Sequence, residues 1–408
     1  MNEHSLIDHV GLETAAVGNS CPSCGNRELS IFYKVHGVPV HSCLMMPTQQ
    51  SALELPCGDV VLGFCQRCGS ITNVAFDAKL QDYSQIYEDQ QSFSLTFKGF
   101  AYDLASHLIE KYALHNKDIV EIGCGKGDFL LLICELGHNR GVGIDPGATK
   151  GRVQSEATDR VLFIQDYYSE RYANYHGDLV CCRHTLEHIH PTAEFVSTVR
   201  SAIGDRLNTV VFFEIPDNTR VLKELAFWDI YYEHCSYFSS GSLARLFRYC
   251  GFEVVDLHRG YGEQYLLIEA RPVETPSNKV HELEDSVEQI AQDVKYFSNH
   301  ISNKLSQWRQ HLQQLQTQGK KAVVWGSGSK CVAFLTTLGT HDKIQYVVDI
   351  NPYRHGNFIP GVGKEIMSPE FLKEYKPDQV IVMNPIYCNE IQQMLDQMGV
   401  IAELVPLL

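Results

Sequence analysis

Apolar positions along this chain fall into short runs and one long stripe. Between residues 83 and 273, runs at 118–122, 141–144, 161–164, 178–182 and 209–213 alternate with segments whose apolar residues recur every three or four positions. Runs of that length suit buried strands and the wider spacing marks one face of a helix, so the alternation predicts a parallel sheet with crossover helices. Runs at 253–258 and 264–269 are expected to close it as an antiparallel pair. The alternation restarts after Gly319, with strands expected at 322–325, 344–348, 380–383 and 403–407. Between the two units, Val280, Leu283, Val287, Ile290, Val294, Phe297, Ile301, Leu305, Trp308, Leu312 and Leu315 form a single stripe on a long helix. Such a stripe packs either along the chain's own domains or against a second copy as a coiled coil. The first 75 residues differ, with strand-like runs at 28–35 and 60–64 punctuated by cysteines. The expected order is thus a small metal-stapled module (1–75), an α/β unit (76–273), a connecting helix (274–318) and a smaller α/β unit (319–408).

Charge narrows the partners. Asp and Glu number 49 against 34 Lys and Arg, a net charge of -15, and no basic run offsets this locally. Nucleic acids and anionic membranes are therefore poor partners. No apolar run approaches the ~20 residues that cross a bilayer. The first twenty residues carry Glu3, Asp8 and Glu13 in place of the basic start and apolar core of a leader, so a cytoplasmic location is expected. In that compartment the 14 cysteines are thiols or metal ligands rather than disulfides.

Cys21-Pro-Ser-Cys24 and Cys65-Gln-Arg-Cys68 are two CxxC knuckles, each followed by glycine. Four thiolates so spaced match a tetrahedral structural zinc site with no position open for chemistry. Cys43 and Cys57 lack that spacing and are expected in the core. Glu121-Ile-Gly123-Cys-Gly125-Lys-Gly127 puts an acid at a strand end and alternate glycines in the turn that opens a helix. Asp145 ends the next strand, placed for ribose hydroxyls, and Asp166 follows a third, within reach of an adenine amino group. The set resembles the S-adenosylmethionine (SAM) site of class I methyltransferases. The dinucleotide pattern G-x-G-x-x-G fails at Asp128.

After the fourth strand, Arg183-His184-Thr-Leu-Glu187-His188-Ile-His190 marks the same fold, and His184 and His188 would bind metal only with a third ligand. After the fifth comes Tyr231-Tyr-Glu233-His234-Cys-Ser-Tyr237-Phe238. Histidine suits proton abstraction near neutrality, a neighbouring carboxylate can orient it, and two tyrosines can bond a carbonyl oxygen that becomes anionic. The alternative is an aromatic loop closing over the cofactor. In the last unit, the turn Gly326-Ser-Gly328 with Asp349 ending the next strand invites a dinucleotide reading, but the pattern fails at Cys331.

The order of a paired-CxxC module, a class I methyltransferase domain with Tyr-x-Glu-His-x-Ser-Tyr-Phe, a long helix and a smaller α/β unit resembles the bacterial sugar C-methyltransferases, which act on nucleotide-linked deoxysugars. Asp349-Ile-Asn351-Pro352, Pro360-Gly361 and Gly37-Val-Pro39 are similar to further segments of that family. The resemblance implies that Tyr231, Glu233 and His234 line the active site. The histidine then takes a proton from the carbon beside a keto group, and the enolate attacks the sulfonium methyl. It also implies a further active-site histidine, His188 or His190, and a tyrosine from a segment that here departs from the family pattern, making Tyr87 the candidate. The last unit would be a Rossmann-like domain that holds the sugar nucleotide without a cofactor of its own. Competing readings are a SAM-dependent enzyme for a non-sugar small molecule and an inactive zinc-containing binding protein.

Overall fold

The computed structural model describes residues 13–15, 20–81 and 83–408. The leader reading covers residues 1–20, of which 1–12 and 16–19 lie outside those described. Among the described residues no helix is long and apolar enough to cross a membrane, and all 14 cysteines are free of disulfides.

Three sheets follow one another. The first is antiparallel, in the order Glu13–Ala15, Leu29–Pro39, Cys57–Phe64, Ile71–Asn73. Its free edge takes a two-residue strand from far along the chain, Ser236–Tyr237, which lies immediately after the Tyr-x-Glu-His motif. The second sheet has seven strands in the order Phe252–Gly260, Tyr265–Pro272, Val210–Pro216, Leu179–Arg183, Asp118–Ile122, Arg140–Ile144, Val161–Ile164. The last five run parallel and the first two pair antiparallel. Helices cover both faces of its central strand, so Ile119, Val120 and Ile122 are all buried; continuous apolar runs rather than alternation are what such a strand requires. The third sheet is parallel throughout: Ile366–Met367, Tyr346–Val348, Ala322–Trp325, Gln379–Val382, Glu403–Pro406.

The long helix spans Val287–Thr317, capped by Ser286, whose hydroxyl accepts from the Gln289 amide. It therefore starts later than the stripe. Val280 is exposed and Leu283 precedes the cap, lying in a turn in which the Glu284 amide donates to His281 O at 3.0 Å, and Asp285 beyond it is bound by the Gly241 amide and the Ser239 hydroxyl, both at 2.8 Å. From Ile290 onward the stripe is buried against the chain itself: Phe297 meets Phe32 and Tyr33 edge-on, and Trp308 meets Phe334. The stripe joins the first and third sheets in one core and is not a coiled-coil seam. Cys57 departs from expectation too, lying exposed at a strand start.

Candidate active site

One cleft of about 1250 Å³ runs from the glycine turn of the second sheet to the corresponding turn of the third. Single-ligand pockets are roughly 300–1,000 Å³, so this one has room for two ligands together.

At one end the chain leaves Asp118–Ile122 and turns through Gly123. Its φ is +71°, and an added Cβ would lie 1.9 Å from the Thr185 hydroxyl, so only glycine fits. Gly127, at φ +89°, caps the helix Asp128–Leu136 against the Phe163 ring and does not reach the cleft. The Gly125 amide donates to Asp145 Oδ2 at 3.0 Å, and the Gly147 amide to Oδ1 at 2.6 Å. Burial raises the Asp145 carboxyl in spite of those bonds. Glu121 is buried, its Oε2 has no hydrogen-bond partner among the described residues, and desolvation pushes it up to about 8 against the pull of Arg183. An orphaned carboxylate oxygen beside Gly123, where no side chain fits, suits a cationic cofactor approaching the backbone closely. Glu121, Gly123, Gly125 and Asp145 therefore form one wall. Asp166 stands outside it, its carboxylate taken by the Tyr167 amide, the Tyr172 hydroxyl and Arg171.

The middle of the cleft is built by the loop after Val210–Pro216. The Cys235 amide donates to Glu187 O and the Ser236 hydroxyl to Ile189 O, at 2.9 and 3.0 Å, lashing this loop to the one after Leu179–Arg183. His234 consequently lies against His188, with ring centroids 4.9 Å apart. The Tyr231 hydroxyl is 2.8 Å from His234 Nε2, and the Tyr83 hydroxyl 2.9 Å from His188 Nδ1. Burial, then the neighbouring His188, lowers His234 well below an ordinary imidazole, so at neutral pH it is the uncharged base form. Burial, then the charge of Asp229, raises the Tyr231 phenol, which keeps its proton.

Two residues of the motif turn away. Glu233 receives the Ser42 amide at 2.9 Å and lies 3.2 Å from His41 Nδ1, both on the first module. Those bonds hold it below an ordinary carboxyl despite its burial. It thus orients His41 rather than His234 and does not reach the cleft wall. The Tyr232 hydroxyl accepts from the Asp77 amide at 2.8 Å, and its ring packs where a Cβ on Gly58 would lie. It buttresses the first module.

His188 and His190 both line the cleft, but His188 meets His234 while His190 stacks on Phe76. Tyr87 also lines the cleft, its ring edge-on to those of Tyr83 and His41. Of the two tyrosines it is Tyr83, four residues before Tyr87, that bonds a cleft histidine, and its position in the same segment is the signal the sequence offers.

His184 sits at φ +47° with Nε2 2.7 Å from Glu214 Oε1. Burial opposes its charged form, yet Glu214 and Glu187 raise it to about 9. Burial likewise opposes ionisation of Glu214, but Arg183 and His184 hold it at about 2. His184 is thus committed to an ion pair. The far wall comes from the third sheet and its surroundings: Lys330 and Arg220 both pair with Asp229, and Arg354 lies beside Gly328.

In the first module, Cys21 Sγ lies 3.6 Å from Cys68 Sγ and Cys24 Sγ 3.6 Å from Cys65 Sγ, with all four sulfurs within 4.8 Å of one another. A tetrahedron of Zn–S bonds about 2.3 Å long has edges of about 3.8 Å, so the set fits a four-coordinate metal.

Two family models match separate stretches of the chain. Residues 97–257 match the family model of a methyltransferase domain, and residues 268–402 that of a C-methyltransferase C-terminal domain. The C-methyltransferase NovU of Streptomyces niveus is 27% identical over 356 residues, 82% of this chain and 81% of that one. Among solved structures, magnesium protoporphyrin IX methyltransferase from Synechocystis PCC 6803 is 15% identical over 46% of this chain and 90% of its own, with a TM-score of 0.35. A Burkholderia thailandensis 1,6-didemethyltoxoflavin-N1-methyltransferase is 18% identical over 43% and 79%, with a TM-score of 0.32. A class I methyltransferase sheet, with a second α/β domain matching a C-methyltransferase C-terminal domain, makes this chain a SAM-dependent methyltransferase that is similar to C-methyltransferases along most of its length.

Proposed function

We propose that the methyl acceptor is the carbon beside a keto group of a nucleotide-linked deoxysugar, and that His234 removes its proton. The observation that carries this reading is a neutral, buried imidazole bonded to a protonated phenol midway between the cofactor turn and the cationic far wall. Carbon beside a ketone is a weak acid, so it becomes a nucleophile only when a base and an oxyanion donor act together. His234 takes the proton, and Tyr231 passes its hydrogen bond to the oxygen that becomes anionic. Bound SAM supplies an electrophilic methyl. Glu121 and Asp145 would hold the cofactor's ammonium and ribose.

Arg220, Lys330 and Arg354 bring three cations to the far wall, of which Arg220 and Lys330 share Asp229 and Arg220 also pairs with Glu224. Cations gathered there, on a chain of net charge -15, support a diphosphate-bearing substrate. Cys21, Cys24, Cys65 and Cys68 hold one structural zinc, and the free thiols agree with a cytoplasmic enzyme.

The test uses keto-deoxyhexoses linked to thymidine, uridine, guanosine or cytidine diphosphate, each incubated in D₂O with S-adenosylhomocysteine. Wild-type enzyme should exchange the α-proton of one of them, and His234→Ala should be slower by about 10²–10⁴-fold while still binding the cofactor product. No exchange with any of the four rules out the sugar reading; equal exchange by both proteins moves the base elsewhere. For the metal, purified protein should carry one zinc per chain, and Cys65→Ser should lose it together with the fold of the first sheet.

A further inference from the structure

Glu187 is a carboxylate that the cleft leaves without a donor. It sits on the single turn Leu186–His188, is 3% exposed, and neither carboxylate oxygen has a hydrogen-bond partner among the described residues. Burying such a group is unfavourable unless something answers it. On one side is His184, whose Nδ1 stands 3.6 Å from Oε1, close enough for an ion pair but beyond a hydrogen bond, while its Nε2 faces Glu214. On the other are His188 and His234, each with a ring nitrogen within 4.8 Å of a Glu187 oxygen and of each other. Each of these imidazoles has one nitrogen on a tyrosine, His188 on Tyr83 and His234 on Tyr231. The second nitrogen of each makes no hydrogen bond among the described residues. Glu233, the neighbour in sequence, is spent on His41 and Ser42.

The reaction asks for what Glu187 offers. When the substrate's C–H bond breaks, its electron pair stays on the carbon and spreads to the carbonyl oxygen, and an N–H bond forms on His234. The imidazolium so made faces a second imidazole at 4.9 Å, with His184 and Lys330 adding positive charge nearby. In a water-poor cleft those neighbours oppose protonation. Resting on the reading of His234 as the base, we propose that Glu187 is the counter-charge of the His188–His234 pair, a positioning residue that balances the imidazolium formed in the proton-transfer step.

Glu187→Gln keeps the shape and removes the charge. With ¹⁵N-labelled histidine and S-adenosylhomocysteine bound, the His234 imidazole should protonate about 1–3 pH units lower in the variant than in wild type. A merely structural role would leave that midpoint in place, and Glu187→Asp should restore it in part. Affinity for S-adenosylhomocysteine should not change, and α-proton exchange should fall at least tenfold, with its acidic limb displaced to lower pH. An unchanged midpoint, or wild-type exchange in Glu187→Gln, overturns the proposal. So does exchange by wild type that a chelator abolishes and added Mn²⁺ or Zn²⁺ restores, since the three donors would then be holding a metal. The midpoint is read without substrate, so it tests Glu187 even if full exchange by His234→Ala removes the base from His234.

Discussion

The turns at 123–127 and 326–328 occupy corresponding places in the second and third sheets, each following an inner strand with parallel neighbours and opening a helix, with an acid at the end of the neighbouring strand. Both acids bond the turn's backbone, Asp145 through the Gly125 amide and Asp349 through the Ser327 amide. The difference lies in what remains unsatisfied. Two residues before Gly123 stands Glu121, buried with an orphaned oxygen; two residues before Gly326 stands Val324, buried and apolar. Asp145 takes two amides, whereas Asp349 takes the Ser327 amide, the Ser327 hydroxyl and the Asn351 amide. Arg354 then bonds the same hydroxyl at 3.2 Å. One turn holds polarity in reserve for a ligand, and the other answers its polarity from within the chain. Backbone shape alone thus does not make a cofactor site.

Glu121 gives the comparison its largest expected effect. Burial holds its carboxyl at about 8, against 4.5 ordinarily, so between those values the folded state keeps a proton that the unfolded chain has released. The stability contributed by this group is full below about pH 4.5 and is lost as pH rises through about 8, on the order of a few kcal/mol. Thermal unfolding of ligand-free protein between about pH 5 and about pH 9 should therefore decline in wild type and decline less in Glu121→Gln. Saturating cofactor should flatten the wild-type curve, because its ammonium answers the ionised carboxylate. Identical slopes for the two proteins would place the buried proton elsewhere and erase the contrast with Val324.

Much of this contrast was legible in the sequence. Strand-end acids, glycines and continuous apolar runs are local, and the strands at 118–122, 161–164 and 322–325 start and stop where the pattern does. What was not legible depends on partners far along the chain. Glu233 reads as the orienter of His234 because they adjoin, yet its bonds go to residues 191 and 192 positions away. The strand Ser236–Tyr237 is too short to carry a periodicity and exists because Ile71–Asn73 offers a free edge. The helix start shifted for the same reason, since Asp285 answers donors from 239–241 instead of beginning a turn. In the sequence Glu187 reads only as part of a fold signature; its lack of a hydrogen-bond partner among the described residues is visible only with His188 and His234 side by side.

Exchanging the two strand-end acids sharpens the comparison next. Asp145→Ala removes a charged acceptor from the cofactor wall, and loss of hydrogen bonds to such a group costs about 1.5–3 kcal/mol, or roughly ten- to a hundredfold in affinity for SAM. Asp349→Ala removes an acid whose bonds run to its own domain, so SAM affinity should stay within about twofold while the third sheet loses stability. Calorimetry on the two variants, each beside wild type, separates them. Equal losses of affinity would mean that the second turn also contributes to cofactor binding.

The smallest effect comes from the hydroxyl that completes the second turn. Ser327 is 1% exposed, and its Oγ donates to Asp349 Oδ2 at 2.6 Å while accepting from Arg354. Ser327→Ala removes both bonds but leaves Asp349 the amides of Ser327 and Asn351, so the carboxylate is not orphaned and the loss should be about 1 kcal/mol. That corresponds to an unfolding midpoint lower by a few degrees at most. SAM should still bind at one site per chain with wild-type affinity, because nothing on the first turn has changed. The informative addition is a dinucleotide: NAD should leave the midpoint of wild type and variant unmoved, since Val324 offers no polar group and the Asp349 carboxylate is already held by backbone amides of its own domain. A rise in midpoint with NAD in wild type would show that the second turn keeps a ligand site despite its filled acid, and the two turns would then differ in ligand rather than in kind.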